Sequence, residues 1–247
     1  MKHSFPPLEK VTLLQRYKRF LADVERADGS TITVHCPNPG SMMGLKAPGN
    51  TCYISDSGNP KRKLRHTLEA MEVDGELVSI NTMRPNKIAR LALEGGALPT
   101  LGEISRIETE VPYSEKSRVD FRLTDPDGAI TWLEVKNCHL VRTEGLYEFP
   151  DSVTSRGARH LRDLAAQVRN GDRAVLLFVI QRGDGSRLTL ADDLDPAYAQ
   201  SHAVATEAGL ETLCLRCTVD LEGVWVRELV PYIPPKRGQI ARTPVSP

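Results

Sequence analysis

Asp120, Glu134 and Lys136 are the residues whose types and spacing most clearly suggest chemistry. Carboxylate oxygens are hard ligands that suit Mg²⁺ or Mn²⁺, and such ions stabilise charge on phosphate groups and activate water. A lysine beside them can orient that water or help to deprotonate it. Two acids and a lysine at one place would therefore suit metal-dependent cleavage of a phosphodiester.

Two segments with alternating side chains must position these residues. Residues 118–123 and 130–136 alternate between apolar and polar types, which is typical of half-buried strands. Between them lies the sequence Asp-Pro-Asp-Gly at residues 125–128. Its proline suits a type I turn and its glycine suits a left-handed conformation, so the two segments are predicted to form a hairpin.

The loop also predicts which residues face each other. It sets Asp125 opposite Ala129, so paired residue numbers add to 254 and Asp120 faces Glu134. Opposed carboxylates repel, and a positive charge is needed between them. A divalent metal is one candidate. Alternatively, Lys136 and a neighbouring arginine neutralise the acids on a solvated face, and a register slip of two residues also stays open.

Composition limits the classes of function. The 247 residues carry 32 Lys and Arg against 32 Asp and Glu, so no overall positive field attracts nucleic acid or a membrane. Any basic binding face must be local. Five cysteines without framework spacing, in a chain without a signal peptide or a long apolar run, predict core thiols, a reducing cytoplasm and no membrane partner. A homodimer stays open.

The chain divides into two predicted domains and a tail. Residues 1–82 read as about five short strands separated by turns, which predicts a small OB-like β-barrel. Residues 83–232 alternate helices and strands and predict a mixed-sheet α/β domain, whereas residues 233–247 are rich in proline and predict a flexible tail. The predicted strands are 16–25, 31–35, 51–55, 63–73, 77–81, 174–180, 210–218 and 224–230, and the predicted helices are 86–94, 156–170 and 195–209.

Other residues are weaker candidates for this site. Glu94 ends a predicted helix and can supply a third carboxylate, or it is simply solvated. The Val135 carbonyl is a further candidate metal ligand. Gln181, which follows a buried strand, can bind water or phosphate, or be inert. Thr154 begins a helix, either as its cap or as part of a phosphate site.

Basic residues form three groups that suit nucleic-acid phosphates. One group lies at the start of a predicted helix, and two lie in the first domain near Tyr17, Phe20 and Tyr53. The alternative for each group is an ordinary solvated face. The members are Arg156, Arg159 and His160; Arg16, Lys18 and Arg19; and Lys61, Arg62 and Lys63.

Several strings in order resemble one family. They are RYKRFLADV at 16–24, HCPNPGSM at 35–42, NPKRKL at 59–64, RVDF at 118–121, EVKN at 134–137 and FPD at 149–151 with RGARHL at 156–161. Together these strings resemble the SfsA family, the sugar fermentation stimulation proteins, over residues 10–230.

The resemblance implies a bacterial or archaeal protein with an OB-like first domain. It also implies a second domain similar to PD-(D/E)xK nucleases, DNA binding and a regulatory link to sugar utilisation. Asp120, Glu134 and Lys136 match the nuclease motif, although Val119 stands where the motif has proline. Two alternatives remain: a non-catalytic DNA-binding regulator that uses the same pocket to hold phosphate, and an enzyme acting on sugar phosphates.

Overall fold

The computed structural model describes residues 1–114 and 117–235. The first part of the chain forms seven strands. They are β1 (Lys2–Ser4), β2 (Leu8–Tyr17), β3 (Leu21–Glu25), β4 (Thr31–His35), β5 (Thr51–Asp56), β6 (His66–Val73) and β7 (Glu76–Ser79).

Six of these strands form one sheet that closes on itself. Its order is β4-β3-β2-β5-β6-β7, and β4 also pairs with β6 through His35 and Thr67, so β2–β6 form a ring. The ring encloses an apolar core that includes Leu13, Val34 and Ile54. This arrangement confirms the predicted OB-like architecture, because closure gives β2–β6 neighbours on both sides.

Three details of the first domain differ from the sequence prediction. The strand predicted at 16–25 is two strands, because Lys18 and Arg19 adopt positive φ angles of 47° and 62° and turn the chain. The strand predicted from residue 63 begins only at His66. Finally, β1 pairs antiparallel with β16 (Gly223–Leu229) of the second domain, so the first residues of the chain do not belong to the first domain's sheet.

The described residues of the second part of the chain form three α-helices, a short 3₁₀ helix and nine strands. They are α1 (Pro85–Glu94), the 3₁₀ helix Pro99–Leu101, β8 (Arg106–Ser114), β9 (Ser117–Thr124), β10 (Ile130–Cys138), β11 (Leu140–Thr143), β12 (Gly145–Phe149), α2 (Ser155–Arg169), β13 (Arg173–Ile180), β14 (Gly185–Leu190), α3 (Pro196–Glu207), β15 (Glu211–Asp220) and β16.

A seven-stranded mixed sheet organises this domain, in the order β1-β16-β15-β13-β10-β9-β8. The central strand β13 is parallel to both β10 and β15, as its continuous apolar run predicts. Helix α1 packs on one face with Phe121, Leu133 and Val135, and α2 packs on the other face with Trp132 and Phe178. The predicted mixed-sheet α/β domain is therefore confirmed.

The predicted hairpin is present with its predicted register. Strands β9 and β10 pair from Thr124 opposite Ile130 to Phe121 opposite Leu133, and the numbers of each pair add to 254. The Asp125 N–H donates to the Ala129 carbonyl over 3.1 Å. Gly128 has φ 89°, the left-handed conformation that the loop requires. Loop chemistry and alternation together were sufficient to specify this pairing.

Some elements were not predicted. Strand β8 lies at the sheet edge, and β11, β12 and β14 form a separate three-stranded sheet. Hydrogen bonds of the chain's C-terminal segment continue past residue 232, because the Ile233 N–H donates to the Leu188 carbonyl over 2.7 Å. Residues 236–247 of the predicted tail lie outside the described residues.

Cysteine placement agrees with the predicted core thiols. All five cysteines are free and buried. Cys214 and Cys217 pack against opposite faces of the seven-stranded sheet, as their odd spacing predicts. Burial raises the pKa of both thiols to about 12, so they are poor nucleophiles near neutral pH. No helix in the described ranges is long and apolar enough to cross a membrane.

Candidate functional site

Asp120 lies where the pairing between β9 and β10 ends. The last paired residues are Phe121 and Leu133. If the register continued, the Val135 N–H would face Val119, but it donates instead to Asp120 Oδ2 over 2.7 Å. Phe121 packs on the α1 side of the sheet and Val119 on the α2 side, so β9 twists about its axis at Asp120. The Asp120 carboxylate thus takes the place of a backbone acceptor.

The neighbouring strand is irregular at the same level. In β8, Thr109 pairs with Phe121 and Val111 pairs with Val119, which leaves Glu110 across from Asp120. Glu110 has φ 54°, a strained conformation for a residue other than glycine. The sheet therefore departs from regular geometry in two adjacent strands, both at the level of Asp120.

Glu134 is buried with one carboxylate oxygen occupied and the other free. Its side chain is 3% exposed, and Oε1 accepts a hydrogen bond from Lys136 Nζ over 2.6 Å and another from His160 Nδ1. Oε2 is buried and has no hydrogen-bond partner within the described part of the chain. A buried polar atom without a partner requires an explanation, and a cation is one.

His160 connects Glu134 to the helix surface. The Arg156 Nε–H group donates to His160 Nε2 over 3.2 Å, so this nitrogen acts as an acceptor. The ring proton then lies on Nδ1, from which it is donated to Glu134. His160 is 4% exposed and therefore cannot offer an open surface to phosphate, whereas Arg156 and Arg159 are exposed on α2. The predicted phosphate-binding role is not supported for His160, which contacts the buried carboxylate instead.

The pKa values of the two acids shift in opposite directions. Burial and the nearby Glu134 carboxylate raise the pKa of Asp120, against the opposing effect of the Val135 N–H and Asn86. Burial would also raise the pKa of Glu134, but the Lys136 ammonium and the His160 hydrogen bond prevail and lower it. Asp120 thus carries the electrostatic cost of the paired carboxylates, which a cation between them would relieve.

A cavity of about 200 Å³ lies beside Asp120, between α1 and the sheet. Asn86 Nδ2, in the first turn of α1, donates to Asp120 Oδ1 over 2.7 Å. The N-cap residue of this helix is Arg84. The lining residues are Asn86, Lys87, Arg90, Thr109, Glu110, Asp120 and Phe121.

Of the two predicted alternatives for Glu94, a third metal ligand or a solvated residue, its position in the structure agrees with the second. Glu94 is exposed at the end of α1, where it accepts a hydrogen bond from Arg90 Nε over 2.8 Å. The α1 residue that contacts Asp120 is Asn86, and eight residues of helix separate the two by about 12 Å along the axis. In the described ranges, no cluster of three His, Cys, Asp or Glu side chains has the geometry of a metal site.

Gln181 and Thr154 have structural roles. Gln181 is fully buried between the two domains, where it accepts from Ser79 Oγ over 2.9 Å and donates to Asn137 Oδ1 over 2.7 Å. Thr154 is the N-cap of α2, and its hydroxyl accepts from the Gly157 N–H. Thr154 therefore acts as one of its two predicted alternatives, the helix cap.

The basic groups of the first domain also separate into different roles. Arg16 Nη2 donates to the carbonyls of Arg19, Asn38 and Gly40 over 2.7 to 2.9 Å, which commits Arg16 to holding backbone rather than ligand. Lys18 and Arg19 are exposed at a turn, and the basic residues at 61–63 are exposed in the loop before β6. These two exposed groups stay available for an anion.

The loop at residues 36–45 joins the domains at Asp151. Ser41 Oγ donates to the Asp151 carbonyl over 2.7 Å, and the Met42 N–H donates to Asp151 Oδ2 over 2.9 Å. A Cβ atom at Gly40 would lie 2.8 Å from Asp151 Oδ2, so only glycine fits. Although burial opposes it, the His139 imidazole and the Met42 N–H lower the pKa of Asp151 to about 2. These contacts fasten the loop of the first domain to Asp151 of the second domain.

Comparisons with known proteins agree with the sequence resemblance. The family model described as "Sugar fermentation stimulation protein RE domain" matches residues 83–223, and the model described as "SfsA N-terminal OB domain" matches residues 14–80. The sugar fermentation stimulation protein homolog of Caulobacter vibrioides is 50% identical over 218 residues, which cover 88% of this chain and 91% of that protein. The homolog of Rhodospirillum centenum is 47% identical over 223 residues, which cover 90% and 96%.

A solved structure of an SfsA protein has a similar fold. The structure of Pyrococcus furiosus SfsA in complex with Ca²⁺ is similar with a TM-score of 0.85 and 26% identity, and the match covers 94% of this chain and 99% of that one. Both family models, the curated relatives and the fold thus agree along nearly the whole chain. The chain belongs to the SfsA family, the sugar fermentation stimulation proteins.

Proposed function

We propose that this protein binds DNA and cleaves phosphodiester bonds at a divalent-metal site formed by Asp120, Glu134 and the Val135 carbonyl. The observation that carries the proposal is the buried Glu134 Oε2 atom, which has no partner among the described residues and lies near a second acid whose pKa is raised. Carboxylates held in this way are typical ligands of hard cations.

The donor set fits Mg²⁺ or Mn²⁺. Two carboxylates and one carbonyl leave positions for water and for phosphate oxygens, as these ions require. The Val135 N–H points toward Asp120, and the carbonyl of the same strand residue lies on that edge too. A Ca²⁺ complex of the Pyrococcus furiosus relative supports the use of a divalent cation. When bound, the ion would supply Lewis-acid charge beside the scissile phosphate.

Side chains of this protein would perform the remaining tasks. Lys136 Nζ, held 2.6 Å from Glu134, would orient the attacking water and offset charge on the phosphate. Lys87 and Arg90 line the cavity beside Asp120 and would hold the neighbouring phosphate. His160 would fix the Glu134 carboxylate with Oε2 directed to the cation. The five buried free thiols are compatible with action in a reducing cytoplasm.

A non-catalytic DNA-binding regulator of sugar-utilisation genes is the second candidate. The observation that favours it is the close contact of Lys136 and His160 with the same Glu134 oxygen, because these groups already offset part of the carboxylate charge. In that case the pocket would only hold phosphate, and DNA would be bound without being cleaved.

A nuclease panel distinguishes the two candidates. Single-stranded, duplex and branched DNA, and RNA, are incubated with Mg²⁺, Mn²⁺ or chelator, using the wild type, Asp120→Asn and Lys136→Ala. We expect cleavage of at least one DNA substrate by the wild type with metal, and a loss of about 100-fold or more in both variants. DNA binding in chelator should stay within about threefold of the wild type, since most affinity comes from phosphate contacts elsewhere.

Asp127→Asn is the matched control, because Asp127 is exposed in the loop of the same hairpin. It should cleave as the wild type does. Equal cleavage by Asp120→Asn and Lys136→Ala would reject the proposed site. Salt-dependent DNA binding by the wild type with no nucleotide release under either metal would establish the regulator instead.

A further inference from the structure

The two exposed basic groups of the first domain meet at His35. Strands β4 and β6 pair at His35 and Thr67, and Arg62 Nη2 lies 3.5 Å from Thr67 Oγ1. On the other side, the Phe20 ring stacks on the His35 imidazole with centroids 6.5 Å apart and planes inclined by 20°. The turn at Lys18 and the loop carrying Arg62 are therefore neighbours across His35, although more than forty positions separate them in sequence.

Phe20 is the aromatic residue of this surface that remains open. Its exposed fraction is 47%, which is high for a large apolar side chain. Tyr53, by contrast, is only 6% exposed and donates its hydroxyl to Glu72, while the Tyr17 hydroxyl donates to Asp23. Of the three aromatic residues that the sequence places near the basic groups, Phe20 is the most exposed and has no hydroxyl held by an acid.

The turn that presents Phe20 is strained and held in place. Lys18 and Arg19 both have left-handed φ angles, and the Phe20 N–H donates to the Lys18 carbonyl over 2.7 Å. Consecutive residues of this type in that conformation are unfavourable. Arg16 Nη2 donates to the Arg19 carbonyl and also to the Asn38 carbonyl, which ties the turn to the domain junction. Strain of this kind suggests a function for the side chains that the turn displays.

Charge around the ring favours a polyanion. Lys18 and Arg19 are exposed in the turn that precedes Phe20, and the exposed Arg62 reaches Thr67, which pairs with His35. Two nearby acids are already engaged, since Asp56 pairs with Arg65, and Asp23 accepts from Thr33 and Gln15. A half-exposed aromatic ring backed by a second ring suits stacking with an unpaired base, whereas a base inside a duplex is already stacked.

We propose that the Phe20–His35 stack is a base-stacking platform for single-stranded nucleic acid, with Lys18, Arg19 and Arg62 binding the flanking phosphates. The proposal deepens the proposed function, since it rests on the chain acting on nucleic acid, but it uses a surface outside the carboxylate site. It assigns to the first domain the capture of an unpaired strand.

Binding in the absence of divalent metal tests this platform. The full chain is titrated into a labelled oligothymidylate of about 15 nucleotides in chelator at low salt, with fluorescence anisotropy as the readout. We expect Phe20→Ala to weaken binding about tenfold, as for loss of one stacked base, and Phe20→Trp to bind as the wild type or more tightly. Arg19→Gln and Arg62→Gln should each reduce the slope of log affinity against log salt by about one.

Leu221→Ala is the matched control, because Leu221 is a 55% exposed apolar residue in a turn of the second domain. It should bind as the wild type does. Thermal unfolding of each variant establishes that it is folded. Unchanged oligothymidylate binding by Phe20→Ala would overturn the proposal, and so would a duplex that competes as well as the single strand, or binding to anionic vesicles with none to the oligonucleotide.

Failure here is distinguishable from failure of the nuclease site. The binding test is made in chelator, where no metal-dependent cleavage occurs, so it is independent of Asp120 and Lys136. If the wild type cleaves DNA but Phe20→Ala binds oligothymidylate as tightly as the wild type does, the nuclease proposal stands and the platform proposal is overturned. If binding depends on Phe20 but no cleavage occurs, the platform proposal stands and the nuclease proposal is overturned.

Discussion

Two buried glutamates, one in each domain, show how differently the same side chain can be used. Glu69 in β6 is 4% exposed and Glu134 in β10 is 2% exposed. Both Glu69 oxygens have donors: Oε1 accepts from Ser55, and Oε2 accepts from Asn81 and Arg84. Glu134 has two donors on Oε1 and none on Oε2 within the described residues.

The difference distinguishes a structural carboxylate from one available for binding. Glu69 pairs with the equally buried Arg84 over 2.7 Å, and the Arg84 guanidinium stacks over Phe5 at 4.5 Å. Such a pair is complete, and a further ligand has nowhere to bind. At Glu134 the donors leave one oxygen open near a second acid, which is the arrangement expected of a cation site. Burial alone would not separate the two residues.

The largest effect on stability is expected from replacing Glu69, the glutamate whose two oxygens both have donors. Glu69→Ala leaves the Arg84 charge buried without its partner, so we expect the free energy of unfolding to fall by about 3–5 kcal/mol. Glu134→Gln removes the charge that faces Lys136, but it keeps an oxygen for the Lys136 and His160 donors and removes the repulsion of Asp120, so it should cost less, about 1–3 kcal/mol. Urea unfolding in chelator measures both. Equal losses of unfolding free energy for the two variants would contradict the distinction between a structural Glu69 and a Glu134 available for binding.

A smaller effect is expected at His160, whose hydrogen bond to Glu134 has no counterpart among the hydrogen bonds that Glu69 makes to described residues. His160→Phe removes the donor to Glu134 Oε1, so we expect Ca²⁺ or Mn²⁺ affinity to fall by about 10- to 100-fold, as for other residues that orient a metal ligand. His160→Asn retains a donor and should recover part of the affinity. Isothermal titration calorimetry provides the measurement.

Arg159→Gln is the control for this experiment, since Arg159 is exposed on the same helix. Its cation affinity should match that of the wild type. If His160→Phe lowered only the thermal stability and left the cation affinity unchanged, His160 would be a packing residue and not a positioning residue for Glu134.

The smallest expected effect is on pH dependence. Because burial and Glu134 raise the pKa of Asp120, the folded protein holds a proton there at a pH where the unfolded chain has lost it. Stability from this group is therefore complete below the unfolded pKa and is lost as the pH rises through the raised one. A cation competes with that proton, so the cation-induced increase in Tm should grow as the pH rises through the raised pKa of Asp120. Asp120→Asn should show no such growth.

Local sequence was sufficient for the hairpin because its determinants are local. Alternation in β9 and β10 defines the faces, and the Pro and Gly of the loop define the register, so the pairing of Phe121 with Leu133 follows without knowledge of the rest of the fold. The same holds for Thr154 and Asp195, which cap α2 and α3 through hydrogen bonds to residues three positions later. These predictions depend on neighbours in the chain.

Predictions that depended on distant neighbours were less accurate. The residue type of Glu94 makes it a candidate metal ligand or a solvated residue, and only the orientation of α1 shows that Asn86 is the helix residue that contacts Asp120. His160 was placed with surface phosphate donors, although the packing of α2 buries it against Glu134. Gln181 lies between the domains. For these three residues the sequence shows only a polar side chain, and the residue type does not indicate which distant side chain it will contact.

The sequence alone determined the family, the order of the OB-like and α/β domains, the β9–β10 pairing up to Phe121 opposite Leu133, and Lys136 on the same side as Glu134, because family strings, periodicity and turn chemistry depend on the residues themselves. Tertiary structure decided that Glu134 Oε2 has no partner among the described residues and that His160 donates to the other oxygen of the same carboxylate. It also decided that Phe20 stacks on His35 and that Arg62 reaches Thr67, the residue paired with His35. Those features arise where elements remote in sequence pack together. Contacts of that kind depend on helix orientation and sheet closure, which no local pattern encodes.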